Sequence, residues 1–163
     1  LVVQHRHRSS GEVLPAHLRR HAALDVVDAV DKQWVRSGTV YFAPANYHLL
    51  VERGHLSLTT DPVVRFSRPS IDVTFTSAAD TYRSATIGVV LTGANDDGSR
   101  GLRHVVDRGG KAIVQDRATA ESKAMPSAAL KAVPEAEVLP LPDICTRLVE
   151  LTSGAGRSHR KAG

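Results

Sequence analysis

The feature that most constrains the fold is an alternation of short apolar runs with segments of helical spacing. The apolar runs predict buried strands: LVVQ, DVVDAV, TVYFAP, ATIGVVLTG, AIVQD and VLPL. The helical segments place apolar residues three or four positions apart: VLPAHLRRH, SIDVTF, GLRHVV, MPSAALKAV and DICTRLVEL. Strands that alternate with helices favour a layered α/β fold with a largely parallel sheet. The segment HLLVERGHLSLT adds two alternating runs around Arg53-Gly54, which predicts a hairpin. We therefore predict a three-layer, doubly wound fold with a mostly parallel sheet and a β-hairpin excursion.

The length and composition bound the domain organisation. A chain of 163 residues fits one domain. Aromatic residues make up only 4% of the chain, so the core must consist of Val, Leu, Ile and Ala. We predict one domain over residues 1–152. The polar stretch SGAGRSHRKAG predicts a disordered tail over residues 153–163.

The net charge does not indicate a nucleic-acid partner. The formal charge is +4, but Arg157, Arg160 and Lys161 of the tail supply three of those positive charges. Basic and acidic residues are interspersed along the rest of the chain, with no basic run typical of a nucleic-acid footprint. No apolar stretch approaches the roughly 20 residues of a membrane span, so we expect no membrane insertion.

The single cysteine bears on the cellular compartment. Cys145 lies in the amphipathic stretch DICTRLVEL, where a small buried apolar residue is the expected role. One cysteine cannot form an internal disulfide, which is typical of a reducing compartment. The first residues, LVVQH, lack the features of a signal peptide. The sequence therefore favours a cytoplasmic protein.

Reactive side chains follow two of the predicted strands. His5 comes directly after LVVQ, and Asp96 and Asp97 lie in the loop after IGVVL. In open α/β sheets, functional groups gather past the carboxyl ends of the strands. If the two strands are neighbours, a histidine faces a carboxylate, which is the base and orienter of a hydrolytic triad. A structural histidine, and aspartates that cap the helix beginning near Gly98, are the alternatives.

A metal site is a weaker interpretation of the histidines. His5, His7, His17 and His21 could supply imidazole ligands. Arg19 and Arg20 flank the second pair and would repel a cation, and no second cysteine exists. We therefore expect no metal and a solvated helix surface.

Five segments together resemble a known family. They are VVQH, RPSIDVTF, LTGANDDGSRG, AIVQD and AMPSAAL. Their order and spacing, from Leu1 to about Leu151, resemble the catalytic domain of CheB-type chemoreceptor methylesterases. The resemblance implies hydrolysis of glutamate γ-methyl esters on chemoreceptors in bacterial chemotaxis, with glutamine deamidation in some members. It implies no cofactor. The implied partners are methylated cytoplasmic receptor helices or another glutamate-bearing protein.

The resemblance also assigns roles to residues. His5 matches the family's catalytic histidine and Asp97 its catalytic aspartate. The loop amides of Gly93 and Ala94 would help to hold an oxyanion.

Two further residues are candidates for proximity to the substrate. They are Arg68, in the RPS segment, and Met125, in the MP segment. Arg68 could bind a carboxylate or the main chain of the receptor, or it could equally pin the turn at Pro69-Ser70.

One family motif is missing. The family's nucleophilic serine lies in a Gly-x-Ser-x-Gly-Gly turn after the first strand, and no such turn occurs in the 163 residues. Ser99 lies next to the aspartate but outside any elbow, and loop polarity explains Ser9 and Ser10. We expect a domain that lacks its first strand and nucleophile turn, with negligible esterase activity and, because sheet edges are exposed, low stability. The alternative function is a non-catalytic module that binds a receptor or another protein.

Overall fold

The computed structural model describes residues 1–5 and 13–153. It describes the side chains of all of these residues except 13–15. The elements, in chain order, are α1 (Val13–His21), β1 (Asp25–Asp28), β2 (Thr39–Phe42), β3 (His48–Glu52), β4 (His55–Thr59), α2 (Ile71–Tyr82), β5 (Ile87–Val90), α3 (Ser99–Asp107), β6 (Lys111–Gln115), α4 (Ala124–Ala132), β7 (Glu137–Leu139) and α5 (Leu141–Ser153). A 3₁₀ turn at Arg83–Ala85 follows α2. Ser153 ends α5, and the rest of the predicted tail lies outside the described residues.

The described strands confirm the α/β class and the hairpin. β1 pairs with β2 in parallel, and β5, β6 and β7 form a second parallel sheet in that order. β3 and β4 form the predicted antiparallel hairpin around Arg53-Gly54. The parallel strands thus occupy two separate sheets in the described part of the chain, where we expected one.

The run LVVQ, predicted to be a strand, contributes a single parallel bridge between Val2 and Phe42. The Val2 N–H donates to the Tyr41 carbonyl at 2.8 Å, and the Val2 carbonyl accepts from the Ala43 N–H at 2.9 Å. These bonds place the start of the chain beside β2, so His5 leaves this sheet near its carboxyl edge.

The core of the described residues consists of two clusters of buried side chains. The first lies between β5, β6 and helices α3 and α4: Val90, Leu102, Ala112, Val114, Met125, Ala129 and Val133. The second lies under the hairpin: Ala29, Tyr41, Ala43, Leu49, Val51 and Leu56. Leu102 and Val105 are fully buried, which confirms the predicted apolar face of α3. No helix among the described residues is long and apolar enough to cross a membrane.

The prediction of a buried Cys145 is wrong. Cys145 is exposed, and the buried residue of α5 is its neighbour Ile144. Consecutive residues of a helix project about 100° apart, so turning Ile144 toward the sheet turns Cys145 toward solvent. The periodicity was compatible with either residue facing inward.

The turn of residues 64–67 has an unusual backbone. Val64 and Ser67 exchange both backbone hydrogen bonds, and Arg65 and Phe66 between them have φ of 49° and 63°. The Phe66 side chain is fully exposed. A bulky residue in the left-handed region costs about 1 kcal/mol, and asparagine tolerates that region much better.

We therefore expect Phe66→Asn to stabilise the fold by about 0.5–1 kcal/mol, because it removes backbone strain and sacrifices no packing. Urea denaturation at pH 7 measures this gain. The control is Tyr47→Asn, a second exposed aromatic outside the left-handed region, which should bring none. A loss of stability in Phe66→Asn would contradict the assignment of strain to this turn.

Candidate active site

The site forms where the two parallel sheets approach each other. His5 follows the Val2 bridge of the first sheet, and Asp97 lies in the loop between β5 and α3 of the second. His5 Nε2 lies 2.7 Å from Asp97 Oδ2. The two side chains meet as expected, but not because their strands are paired: Val2 bridges to Phe42 and β5 pairs with β6.

The Asp97 carboxylate is almost completely buried and accepts four hydrogen bonds. The Asp97 residue is 1% exposed. Besides His5, its donors are the Ser70 hydroxyl at 2.8 Å, the Ile71 N–H at 2.7 Å and the Asp72 N–H at 3.0 Å. Each carboxylate oxygen accepts two of the four bonds, so the orientation of the carboxylate is set from both sides.

The environment keeps Asp97 ionised. Burial alone raises the pKa of a carboxyl group, but the hydrogen bonds from His5, Asp72, Ile71 and Ser70 outweigh it and lower the pKa of Asp97 below its ordinary value. The bonds from Ile71 and Asp72 come from the first turn of α2, where the helix dipole also favours a negative charge. A charged, oriented carboxylate is therefore present beside the imidazole at neutral pH.

Asp97 does not cap the helix that follows it, contrary to one of our alternatives. Gly98 stands at the N-cap of α3 with φ of 92°, a conformation that favours glycine, and makes no side-chain cap bond. Asp97 instead bonds the N-terminus of α2. In return Asp72, in the first turn of α2, accepts from the Gly101 N–H of α3 at 2.7 Å. The N-terminus of α2 therefore donates to a carboxylate from the loop before α3, and the N-terminal part of α3 donates to a carboxylate of α2.

The Asp72 carboxyl group differs from Asp97 in its electrostatics. Burial raises the pKa of Asp72 above its ordinary value, the Asp97 charge adds to the rise, and the Gly101 N–H opposes it. Arg65 compensates part of this negative charge: it contacts the Asp96 carboxylate, and its Nε lies 3.9 Å from Asp72 Oδ2.

The second ring nitrogen of His5 contacts Asn95. Because Asp97 is an ionised acceptor, Nε2 carries the ring proton, and Nδ1 presents its lone pair. The Asn95 amide nitrogen lies 3.3 Å from Nδ1, and the Asn95 Oδ1 accepts from the Asp97 N–H at 3.0 Å. The His5 side chain is 28% exposed, so part of the imidazole is accessible from solvent.

Sequence reasoning did not single out Asn95 or Ser70 as site residues. Ser70 carried a signal in its position at the start of a helix, where polar residues usually cap their own helix. Its fully buried hydroxyl instead donates to Asp97. No pattern pointed to Asn95 apart from its place in the loop.

The structure places Gly93 and Met125 against each other. The Gly93 N–H donates to the Ser122 carbonyl at 3.3 Å, so an oxyanion would have to displace that carbonyl to use it. The Gly93 carbonyl accepts from the Met125 N–H at 3.0 Å. A side chain at Gly93 would collide with the Met125 thioether, and Met125 is only 6% exposed. Met125 therefore packs against the loop at Gly93 and helps to hold its conformation. The next residue of the loop, Ala94, is exposed.

Arg68 is occupied by the chain's own backbone. Its guanidinium donates to the carbonyls of Thr60 and Asp61 at 2.7 and 2.9 Å. It thus pins the segment before the turn rather than projecting toward a ligand. The Arg68–Pro69 peptide bond is cis.

The two serines near Asp97 do not contact His5 in this arrangement. The Ser99 hydroxyl donates to the Asp96 carbonyl at 2.8 Å, and the Ser70 hydroxyl donates to Asp97. Ser9 and Ser10 lie outside the described residues.

His17 and His21 lie together on the exposed surface of α1. Their ring centroids are 4.5 Å apart, and His21 Nδ1 bonds the His17 carbonyl. His7 lies outside the described residues. Within residues 1–5 and 13–153, no group of three His, Cys, Asp or Glu side chains is placed to hold a metal ion.

Fold and site together define an α/β protein with a histidine–carboxylate pair beyond the carboxyl ends of its parallel strands. The family model described as CheB methylesterase matches residues 1–148. The chain belongs to the CheB methylesterase family.

Named relatives agree with this assignment. A Leptospira interrogans protein named for protein-glutamate methylesterase and protein-glutamine glutaminase is 42% identical over 153 residues, which cover 93% of this chain and 79% of that protein. Protein-glutamate methylesterase FrzG of Myxococcus xanthus is 40% identical and is matched over 44% of its length. The crystal structure of the Thermotoga maritima CheB methylesterase catalytic domain superposes with a TM-score of 0.87 at 34% identity, covering 92% of this chain and 82% of that one.

Proposed function

We propose that this chain serves as the catalytic domain of a protein-glutamate methylesterase, with His5 as the proton-transfer group and Asp97 as its orienter. The observation that carries the proposal is the 2.7 Å bond from His5 Nε2 to a buried carboxylate held by three further donors. Such a carboxylate fixes the imidazole tautomer and stabilises the imidazolium that forms when the ring takes a proton.

The chemistry then follows from the free ring nitrogen. A hydroxyl is a poor nucleophile at neutral pH, so Nδ1 accepts its proton as its oxygen attacks the ester carbonyl. The tetrahedral intermediate collapses, Nδ1 returns the proton to the leaving methoxide, and methanol departs. The glutamyl group is then held as an ester on the hydroxyl oxygen. A water molecule attacks this ester with the same two proton transfers, which restores the hydroxyl and leaves a glutamate carboxylate on the substrate protein. With a glutamine substrate the same steps release ammonia. The backbone N–H of Ala94, an exposed residue, remains our candidate for oxyanion stabilisation.

The substrate class follows from the relatives, whose names specify glutamate residues of proteins as the site of action. We propose that the partner is a methylated cytoplasmic helix of a chemoreceptor, or another glutamate-bearing protein, and that the domain works in the cytoplasm. The proposed reaction requires no cofactor, because proton transfer and nucleophilic attack suffice for ester hydrolysis.

A second candidate function has one observation in its favour. Among the described serines near the pair, neither Ser70 nor Ser99 directs its hydroxyl at His5. A chain with the base and orienter but no hydroxyl at Nδ1 would act as a non-catalytic module that binds the receptor or another protein.

Methanol release from methylated receptor separates the two functions. We expect the purified 163-residue chain to release methanol at no more than the uncatalysed rate, because no described serine donates to His5. The matched protein is the product of the same gene extended upstream, provided that its DNA encodes an in-frame Gly-x-Ser-x-Gly-Gly turn about 30 residues earlier. That protein should be active and should lose its activity on His5→Ala.

Two outcomes would contradict these expectations. Robust hydrolysis by the chain itself, abolished by His5→Ala, would place the nucleophile within it, with Ser99 the first residue to replace. A stop codon with no upstream turn, together with retained binding of methylated receptor, would establish the binding module.

A further inference from the structure

The Asn95 side chain contacts both His5 and Asp97. Its two side-chain atoms bond the two members of the proposed proton-transfer pair: Oδ1 accepts from the Asp97 N–H, and Nδ2 lies 3.3 Å from His5 Nδ1. The bond to the Asp97 N–H identifies Oδ1 as the oxygen, so the nitrogen that faces the imidazole is a donor. Donation to Nδ1 requires that Nδ1 be unprotonated.

We propose that Asn95 is a positioning residue that holds His5 with its proton on Nε2 and with Nδ1 as the acceptor. The proposal rests on the proposed function, since the held nitrogen is the one that would accept the hydroxyl proton. The imidazole is contacted at both nitrogens: the Asp97 carboxylate accepts from Nε2, and the Asn95 amide donates to Nδ1. Asp97 sets the tautomer, and the contact at Nδ1 adds a restraint on the ring plane, because a single bond leaves the ring free to rotate about it.

The same geometry gives the amide a second consequence. The Asn95 nitrogen lies 3.3 Å from Nδ1, the same nitrogen that would accept the proton of a nucleophilic hydroxyl. The hydroxyl therefore replaces a weak, long contact of 3.3 Å, while the ring already stands in the required orientation. Asn95 would thus orient the imidazole before the hydroxyl binds, and the hydroxyl would then replace the Asn95 amide at Nδ1.

Asn95→Asp separates this positioning role from a structural one. Aspartate has the same shape and keeps an oxygen to accept the Asp97 N–H, so the loop bond survives. It has no amide proton for Nδ1. The imidazole of the variant would then lie between two carboxylates, the new one and that of Asp97, and would carry a proton on each nitrogen. The unprotonated acceptor, and with it the capacity to take a hydroxyl proton, would be lost.

Nitrogen-15 NMR of the His5 ring in the full 163-residue chain at pH 7 is the test, and it needs no esterase activity. We expect Nδ1 of the unchanged chain to resonate as an unprotonated nitrogen and Nε2 as a protonated one. In Asn95→Asp the Nδ1 signal should move to the protonated position. In Asn95→Ala it should move the other way, toward an unprotonated nitrogen without a bonded donor. Asn46→Asp, which makes the same chemical change at the chain's other asparagine, should leave the His5 signals in place.

A protonated Nδ1 in the unchanged chain would overturn the proposal. So would His5 signals that stay unmoved in both Asn95 variants, because Asn95 would then be a loop residue only. Asn95→Asp keeps the test decisive should Asn95→Ala fail to fold. The NMR result is independent of the methanol assay, so a failure of the esterase proposal and a failure of the Asn95 proposal are distinguishable.

Discussion

Replacement of Asp97 by asparagine should destabilise the folded chain by about 3 kcal/mol at pH 7, the largest loss that we expect from a single isosteric change. Four donors converge on the Asp97 carboxylate, two on each oxygen. An amide group in its place must direct N–H atoms at two of those donors whichever way it is turned. In either orientation one backbone N–H, of Ile71 or of Asp72, loses its acceptor, and bonds to a charged group become bonds to a neutral one.

The dependence of this loss on pH distinguishes a lost charge from a general disturbance. The pKa of Asp97 is lowered in the folded state. Its contribution to stability is therefore present above the unfolded value of about 3.9 and disappears as the pH falls through the lowered folded value. The raised pKa of Asp72 acts in the opposite direction, but Asp72 is present in both proteins and largely cancels in the comparison.

Urea denaturation of both proteins at pH 7 and near pH 3 measures the effect. The difference in the free energy of unfolding should shrink at the lower pH. Asp143→Asn, at an exposed aspartate of α5, is the control and should cost about 0.5 kcal/mol or less at either pH. A difference that is equally large at both values would show that the Asp97 charge is not the source of the stability.

The second large effect concerns the contact between α2 and α3. Gly101→Ala should destabilise the fold by about 1–3 kcal/mol, although alanine is the better helix former by about 1 kcal/mol. A Cβ atom at Gly101 would lie 2.7 Å from Phe75 Cβ and 2.9 Å from both Cα and the carbonyl oxygen of Asp72. These neighbours are backbone atoms or lie next to the backbone, so α2 itself must move. That movement would also lengthen the 2.7 Å bond from the Gly101 N–H to Asp72.

The sign of the result is decisive, because helix propensity and packing predict opposite signs. Thermal and urea unfolding of Gly101→Ala should both show the loss. The exposed neighbouring substitution Arg100→Ala should change the free energy of unfolding by about 0.5 kcal/mol or less. A stabilised Gly101→Ala variant would mean that the two helices are not in close contact at this point.

Much of the fold could be predicted from periodicity, because local spacing determines which face of an element is apolar. The hairpin around Arg53-Gly54, the apolar face of α3 and the strands β5 and β6 were expected and are present. Cys145 was assigned to the wrong side of α5, since two adjacent apolar residues leave the rotation of a helix undetermined. The division of the parallel strands into two sheets also could not be predicted, because pairing depends on residues distant in the chain.

The site shows the same division between local and distant information. His5 and Asp97 could be nominated because each follows a strand and matches a motif, and their 2.7 Å contact places them together. The sequence did not predict the roles of Asn95, Ser70 and the Ile71 N–H. Their roles depend on which atom of Asp97 or His5 each one contacts, and those contacts join residues that are distant in the chain or in a loop without a recognisable pattern. Met125 and Arg68 were nominated as substrate-proximal, and the structure shows them bound to the chain's own loop and backbone.

The sequence by itself determined the α/β class, the order of the elements, the family, and the histidine and aspartate proposed as the proton-transfer group and its orienter. Only the tertiary structure showed which groups bind these two side chains and fix their orientation. One interpretation had Asp97 capping the helix that follows it, but it caps α2 instead, while Asp72 of α2 bonds the first turn of α3. The reason is physical: a buried carboxylate needs several donors, and the N-terminus of another helix supplies more of them than the local turn does. Which helix that is depends on packing, which no local pattern contains.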